Sequence, residues 1–273
     1  MSWRRGLQPG VSPVSGREVV FHGLAMAGVV HALADVSAQL GEPPVVIGGL
    51  AVVTRLSTAY RATVDLDLVD RRSSGREPHL EVLRRAPGAE PTEPAAVTLP
   101  TPYGSVRVDV LEVNQAELDH PSDDSGDRLH ASAHAWASET ASEVTIVVMG
   151  DRREIFESIP SLIAQPGPLI AMKLQSVMDR GDAKAGTDLL DVVRLVLDRE
   201  CGHEALSEIT SCPPQMAADI AEHVVGWFEA RRLWSLRRIR AAGGSDVTID
   251  DVELVVELLL GACDRRPAGR GPA

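Results

Sequence analysis

Residues 45–69 read VVIGGLAVVTRLSTAYRATVDLDLV, and the fold turns on how this stretch is parsed. Val45 to Ile47 follow Pro43 and Pro44 as a short apolar strand, and 48 to 56 turn sharply and resume as a helix. From 63 to 69 apolar and acidic residues alternate with the period of a strand. That period sends the side chains of Asp65 and Asp67 to one sheet face, where both can grip a single divalent ion. Gly48 and Gly49 lie between strand and helix, where missing side chains let backbone N–H groups approach a phosphate at the helix N-terminus. Taken singly, a Gly-Gly turn is a common turn and an Asp-x-Asp strand is often a solvated edge; the order of the two makes them informative.

Working outward, a third acid is expected on a neighbouring strand. Asp109 in Val106–Leu111 has apolar neighbours on both sides and is the candidate, as metal ligand and base for an incoming hydroxyl. Carboxylates that share metal ions suit in-line phosphoryl transfer, in which positioning and charge neutralisation do most of the chemistry.

The rest of the chain fills in around this motif. After a start rich in Pro, Gly and Ser (1–16, expected to be flexible), 17 to 40 read as an amphipathic helix through Val20, Leu24, Val30, Leu33 and Leu40. The stretch 71–95 reads as a helix with loops, and 96–99 with 105–112 as a hairpin around Pro102–Gly104. A polar loop is expected over about 118–142, then a strand over Val144–Met149. Helical patterns follow over about 168–180, 187–200, 214–240 and 248–263, with a disordered tail at 265–273. The expected fold is α+β: a mixed sheet flanked by helices over 1–165, then a C-terminal helical bundle over 166–273 that completes the site.

Composition narrows the partners. The 273 residues hold one large or two modest domains, and a formal net charge of -12 with pI near 5.1 argues against a broad nucleic-acid surface. Any nucleic-acid contact must be local. No apolar run approaches the roughly 18 residues of a spanning helix, and the start lacks the apolar segment of a secretory signal, so we expect a cytoplasmic protein with no membrane partner. Cys201, Cys212 and Cys263 are widely spaced and show no zinc pattern. Of 27 basic residues only Lys173 and Lys184 are lysines. A lysine that persists against such a bias marks a place where a compact ammonium must fit.

Lys173 and Arg180 are seven apart on one predicted helix and share a face, while Asp188 and Asp191 are three apart on the next. An antiparallel hairpin of these helices would set a carboxylate beside Lys173 and orient its ammonium toward phosphates. Lys184 lies in a loop and reads as solvated.

VIGGLA (46–51), RATVDLD (61–67), LIAMKL (169–174), Arg180 and TDLLDV (187–192) together resemble the AbiEii-type nucleotidyltransferases, which include the MenT toxins of toxin-antitoxin systems. The resemblance runs over roughly residues 45 to 195. It implies that Gly48 and Gly49 form the phosphate-binding turn, and that Arg61, Thr63, Asp65 and Asp67 form the metal-binding motif. It further implies that Lys173 holds the nucleotide phosphates with Arg180 nearby, and that Asp188 and Asp191 form the last acidic motif. The implied activity is transfer of a nucleotide from an NTP with Mg2+ (or Mn2+), with the 3′ end of tRNA as acceptor and a cognate antitoxin as partner. Two departures stand out: Thr187 replaces the basic residue usual before the last motif, and Leu50 follows the turn where a small or hydroxyl residue is common.

Two other functions compete. One is a small-molecule nucleotidyltransferase of the antibiotic-modifying kind; the other is a silent member that binds nucleotide or a protein. The intact acidic set argues against the latter, since gathered like charges are costly without a cation. His22, His31 and His223 read as satisfied or solvated, and His120, His130 and His134 as flanking a solvated loop. Residues 231–240 concentrate arginine around Trp234 and could touch an RNA acceptor stem or other polyanion; the favoured reading is a solvated helix face with Leu233, Leu236 and Ile239 inward, while Trp227 and Phe228 read as core.

Overall fold

The computed structural model describes residues 16–72, 75–178 and 182–265. The expected flexible start and disordered tail fall outside these apart from Gly16 and Arg265, and Arg180 falls outside as well.

The centre is one eight-stranded mixed sheet flanked by helices. In chain order its strands are β1 (Arg17–His22), β2 (Val45–Ile47), β3 (Asp65–Arg71), β4 (Glu90–Glu93), β5 (Ala96–Thr101), β6 (Gly104–Val113), β7 (Ser142–Met149) and β8 (Ile155–Ile163). They lie side by side as β1-β7-β8-β2-β3-β6-β5-β4, with β1–β7, β8–β2 and β3–β6 parallel and the other neighbours antiparallel. The central strands β2, β3 and β6 therefore carry the Gly-Gly turn and all three predicted acids.

Alternation along β3 and β6 gives the sheet two chemically distinct faces. Leu66, Leu68, Val108 and Val110 are buried on one face. Helix α1 (Leu24–Leu40) packs there, with Gly28 against Val106. Asp65, Asp67, Arg107, Asp109 and Leu111 are the half-buried residues of the other face. Helix α5 (Ser125–Thr140) crosses β3 and β6 and lines a cavity with Asp67 and Leu111. The third acid of β3, Asp70, points the opposite way from its neighbours. It is buried and accepts the His79 backbone N–H at 2.9 Å, fixing the start of α3 (His79–Arg84).

Helix α2 (Gly48–Arg55) leaves β2 directly, and α6 (Pro166–Ser176) and α7 (Asp182–Leu197) form the hairpin expected from the lysine and acid spacing. Arg55, only 4% exposed, ends α2 and donates to the carbonyls of Ala164 and Ile163 at 2.9 and 2.5 Å. It thereby ties α2 to the chain entering α6. Helices α8 (Gly202–Ser211), α9 (Pro214–Val224), α10 (Arg232–Ala241) and α11 (Ile249–Asp264) pack on this hairpin and on one another.

Several sequence expectations are corrected. The helix read over 17–40 begins only at Leu24: residues 17–22 are an edge strand, and Gly23, with φ +92°, breaks the chain between them. The polar loop of 118–142 is mostly helical, as α4 (Gln115–Asp119) and α5. Asp124 caps α5 by accepting the N–H groups of Gly126 and Asp127, and the helix buries Gly126, Leu129 and His134 with Ala131, Ala133, Ala135 and Ala137. The helix read over 214–240 is interrupted by a π-helical turn at Val225–Ala230 and by Arg231, which is not helical. Strand β8, helix α8 and the short exposed β4 were not anticipated.

Leu236 and Ile239 are buried as expected, but Leu233 is 62% exposed. Trp227 and Phe228 are core. Among the described residues no helix is long and apolar enough to cross a membrane.

Candidate active site

Gly48 is the pivot of the site. The chain passes from β2 into α2 through this residue at φ +63°, and a Cβ there would sit 2.0 Å from Asp67 Oδ2. Only glycine admits both the left-handed backbone and the carboxylate packed against it. The Gly49 N–H, at the first turn of α2, donates to Asp67 Oδ2 at 3.3 Å. Gly49 is crowded from another side: a Cβ would lie 2.9 Å from Thr63 Oγ1 and 3.1 Å from the Arg61 guanidinium. The Gly-Gly turn thus brings Arg61, Thr63 and Asp67 together. Thr63 is buried at 7% exposure and donates to the Asp65 carbonyl at 3.2 Å, so its hydroxyl shapes the turn.

Asp65, Asp67 and Asp109 leave the same sheet face. Asp67 and Asp109 are register partners in the parallel β3–β6 ladder, and Asp65 is opposite Arg107. Three carboxylates on one face are the oxygen-donor chemistry that Mg2+ or Mn2+ takes. As the side chains stand, no three acidic, histidine or cysteine groups among the described residues are gathered closely enough to hold an ion. Arg107 accounts for much of this. Its guanidinium grips Asp109 at 2.7 and 2.9 Å and Glu93 at 2.8 Å through two nitrogens. Hydrogen bonds donated to the Glu93 and Asp109 carboxylates hold the Arg107 guanidinium firmly protonated, its pKa well above the ordinary value. The donor types and strand positions fit a divalent ion, while the Asp109 carboxylate is engaged by a protein cation.

Lys173 anchors a buried network beside the turn. Its ammonium donates to Asp188 at 2.6 Å and pairs with Asp191 at 2.8 Å, and both acids are essentially inaccessible. Arg61 pairs with Asp191 at 3.0 Å, Tyr60 donates its hydroxyl to Asp191, and Ser176 donates to Asp188 at 3.0 Å. Burial alone would push the Lys173 ammonium down, but Asp191 and Asp188 outweigh it and hold the pKa above the ordinary value. Burial would likewise raise Asp191, yet Lys173 and Arg61 hold its carboxyl below the usual range. Asp191 therefore links Arg61, which flanks the Gly-Gly turn, to Lys173 on α6.

A cavity of about 190 Å³ opens between these groups. Gly48, Asp67 and Lys173 line one part, and Ile47, Leu111, Leu169 and Met172 supply apolar wall. His130, His134, Gln175 and Ser176 complete it. The structure thus brings Gly48, Gly49, Arg61, Thr63, Asp67, Lys173, Asp188 and Asp191 into one connected region. Asp65 and Asp109 stand beside it on the sheet, outside the lining of the cavity.

No protein-family model matches the chain, and no curated protein matches it. Among solved structures it is similar to an antigenic nucleotidyltransferase-like protein from Paracoccidioides brasiliensis, at 20% identity over 72% of this chain and 91% of that chain, with a TM-score of 0.38. A likeness this distant says nothing of the chemistry.

Tyr60, Arg107, Gln175 and Ser176 escaped the sequence reading, and His130 and His134, read there as flanking a solvated loop, line the cavity instead. Arg107 was legible in hindsight, two residues from Asp109 on a strand and so on its face. His130 and His134 are spaced i, i+4, which brings them together only once 125–140 is known to be helical. Their rings lie 4.4 Å apart. His31 instead pairs with Glu157 at 2.7 Å on a different part of the sheet, and His223 bonds the Asp219 carbonyl at 2.8 Å; neither touches the cavity.

Proposed function

We propose that this protein is a metal-dependent nucleotidyltransferase. The observation that carries the reading is that Asp67 packs against the Gly48–Gly49 turn while Lys173 lines the same cavity. Backbone N–H groups at the start of a helix and a buried ammonium are complementary to the phosphates of an NTP. An ammonium has three hydrogens, and Lys173 gives two to Asp188 and Asp191, leaving a third for an anion in the cavity.

Asp65, Asp67 and Asp109 are the residues that would hold Mg2+ or Mn2+. Bound there, the metal supplies charge neutralisation at the α-phosphate and lowers the pKa of an attacking hydroxyl. The chain's own groups do the rest. Asp188 and Asp191 fix the Lys173 ammonium in place and keep it protonated. Arg61 sets the wall of the turn, and Asp109, once released from Arg107, is placed to accept a proton from the incoming hydroxyl.

For the acceptor we propose the 3′ end of tRNA, and for the physiological role a toxin held in check by a cognate antitoxin. Support comes from the resemblance of the motif order and from one local cationic patch in an acidic chain. Arg231 stacks on Trp227 at 4.9 Å and Arg232 stands beside exposed Leu233. Trp227 donates to the Leu174 carbonyl at 3.0 Å, which ties this patch to the helix bearing Lys173.

Incubation with each labelled NTP, Mg2+ and total tRNA tests both levels. Label on tRNA with pyrophosphate released supports the whole reading. Label only on a small acceptor keeps the transferase and removes the tRNA. Absence of both products with every NTP and acceptor removes the transferase.

A further inference from the structure

Once Gly48, Asp67 and Lys173 are assigned to phosphates, the rest of the cavity has no role in the chemistry described above. Its wall combines apolar surface from Ile47, Leu111, Leu169 and Met172 with the polar groups His130 and Gln175. Gln175 is only 6% exposed, and its Oε1 lies 3.4 Å from His130 Nδ1. The two side chains come from α5 and α6, which pack directly on each other, so their relative position is fixed by helix packing. A half-apolar slot with a few convergent, oriented polar groups is the composition of a small-molecule recognition site.

We propose that His130 and Gln175 are the specificity-determining pair that reads the nucleobase of the donor nucleotide. The inference rests on the nucleotidyltransferase reading, since the phosphate end defines which part of the cavity remains for the base. The planar edge of a base presents hydrogen-bond donors and acceptors side by side, and an imidazole next to a carboxamide offers the same mixture in return. The apolar wall takes the weakly hydrated faces of the heterocycle. The His130 ring lies 4.4 Å from that of His134, tilted by 43°, and its Nδ1 faces Gln175 Oε1, so neighbours on two sides orient it. A site that hydrogen-bonds its substrate discriminates strongly against an analogue that leaves buried polar groups unpaired.

The test uses the full chain and four labelled NTPs, comparing wild type with Gln175→Met and His130→Phe. His130→Gln covers the case in which His130→Phe does not fold. The readouts are kcat/KM for each NTP and inhibition by tripolyphosphate, which carries phosphates without a base. The ratio between best and worst NTP is expected to shrink about tenfold in each variant, the worth of one lost directed hydrogen bond. The tripolyphosphate inhibition constant is expected to move by less than about twofold, which a merely structural defect would not respect.

Wild-type selectivity preserved in the folded variants overturns the proposal and leaves the transferase standing. Wild-type protein that uses all four NTPs equally overturns it as well. Failure of the wild type to release pyrophosphate from any NTP removes the transferase reading itself, and this inference with it.

Discussion

Asp67 stands directly opposite Asp109 in the β3–β6 ladder, yet the two carboxylates are held by different partners: Asp67 by the Gly49 N–H, Asp109 by the Arg107 guanidinium. Two acids set side by side on one face thus face different partners, a helix terminus for Asp67 and a cation for Asp109. On the proposed function, a divalent ion would have to compete with Arg107 for Asp109.

Arg107→Gln is therefore expected to lower the Mg2+ concentration needed for half-maximal nucleotide transfer, by about three- to tenfold for loss of one partly screened ion pair. Titration of Mg2+ at saturating NTP measures it. An unchanged or higher requirement would show that Arg107 does not hold Asp109 back from the metal.

Gly48→Ala is expected to abolish transfer, because the new Cβ must displace the Asp67 carboxylate. Gly41→Ala is the control. Gly41 also has positive φ, at +74°, but has nothing within 4 Å of the added carbon, so it carries only the backbone penalty of about 1 kcal/mol. Activity assays with thermal unfolding of both variants separate close approach from backbone strain.

Lys173→Met leaves Asp188 and Asp191 buried without their shared cation. Breaking such a buried pair is expected to destabilise the fold by about 3–5 kcal/mol, and adding Asp188→Asn to the variant should recover part of it. Urea unfolding measures both; transfer activity is lost in each, because the recovery is of packing and charge balance only.

These predictions use residues that sequence reading reached unequally. The β3 acids were legible because alternation with Leu66 and Leu68 exposes the period directly, and Lys173 because lysine is almost absent from the chain. Helix α5 was hidden because its buried residues are alanines, a glycine, His134 and the single large apolar Leu129, which alone cannot mark a turn-by-turn spacing. His130 and His134 were hidden with it. Strand β4 has all of its residues exposed and carries no apolar signal at all. Strand β1 and helix α1 run together in hydropathy, and only Gly23 separates them.

Stability should also report on Glu208. Its carboxylate accepts the Gly167 N–H at 2.6 Å at the start of α6, and burial pushes its pKa up to about 7 from an ordinary 4.5. A raised acid favours the fold most when protonated, so this contribution is complete below pH 4.5 and is lost as pH rises through about 7. Thermal midpoints are expected to fall between pH 5 and pH 8 in the wild type and to fall less in Glu208→Gln. Equal pH slopes in the two proteins would remove Glu208 as the source.

The central claim is tested most directly by pyrophosphate release from NTPs in the presence of Mg2+, wild type against Asp67→Asn. The account predicts Mg2+-dependent release that chelation stops and that Asp67→Asn reduces by at least about a hundredfold, with the variant still folded. Release that survives in Asp67→Asn, or that needs no divalent ion, would contradict it.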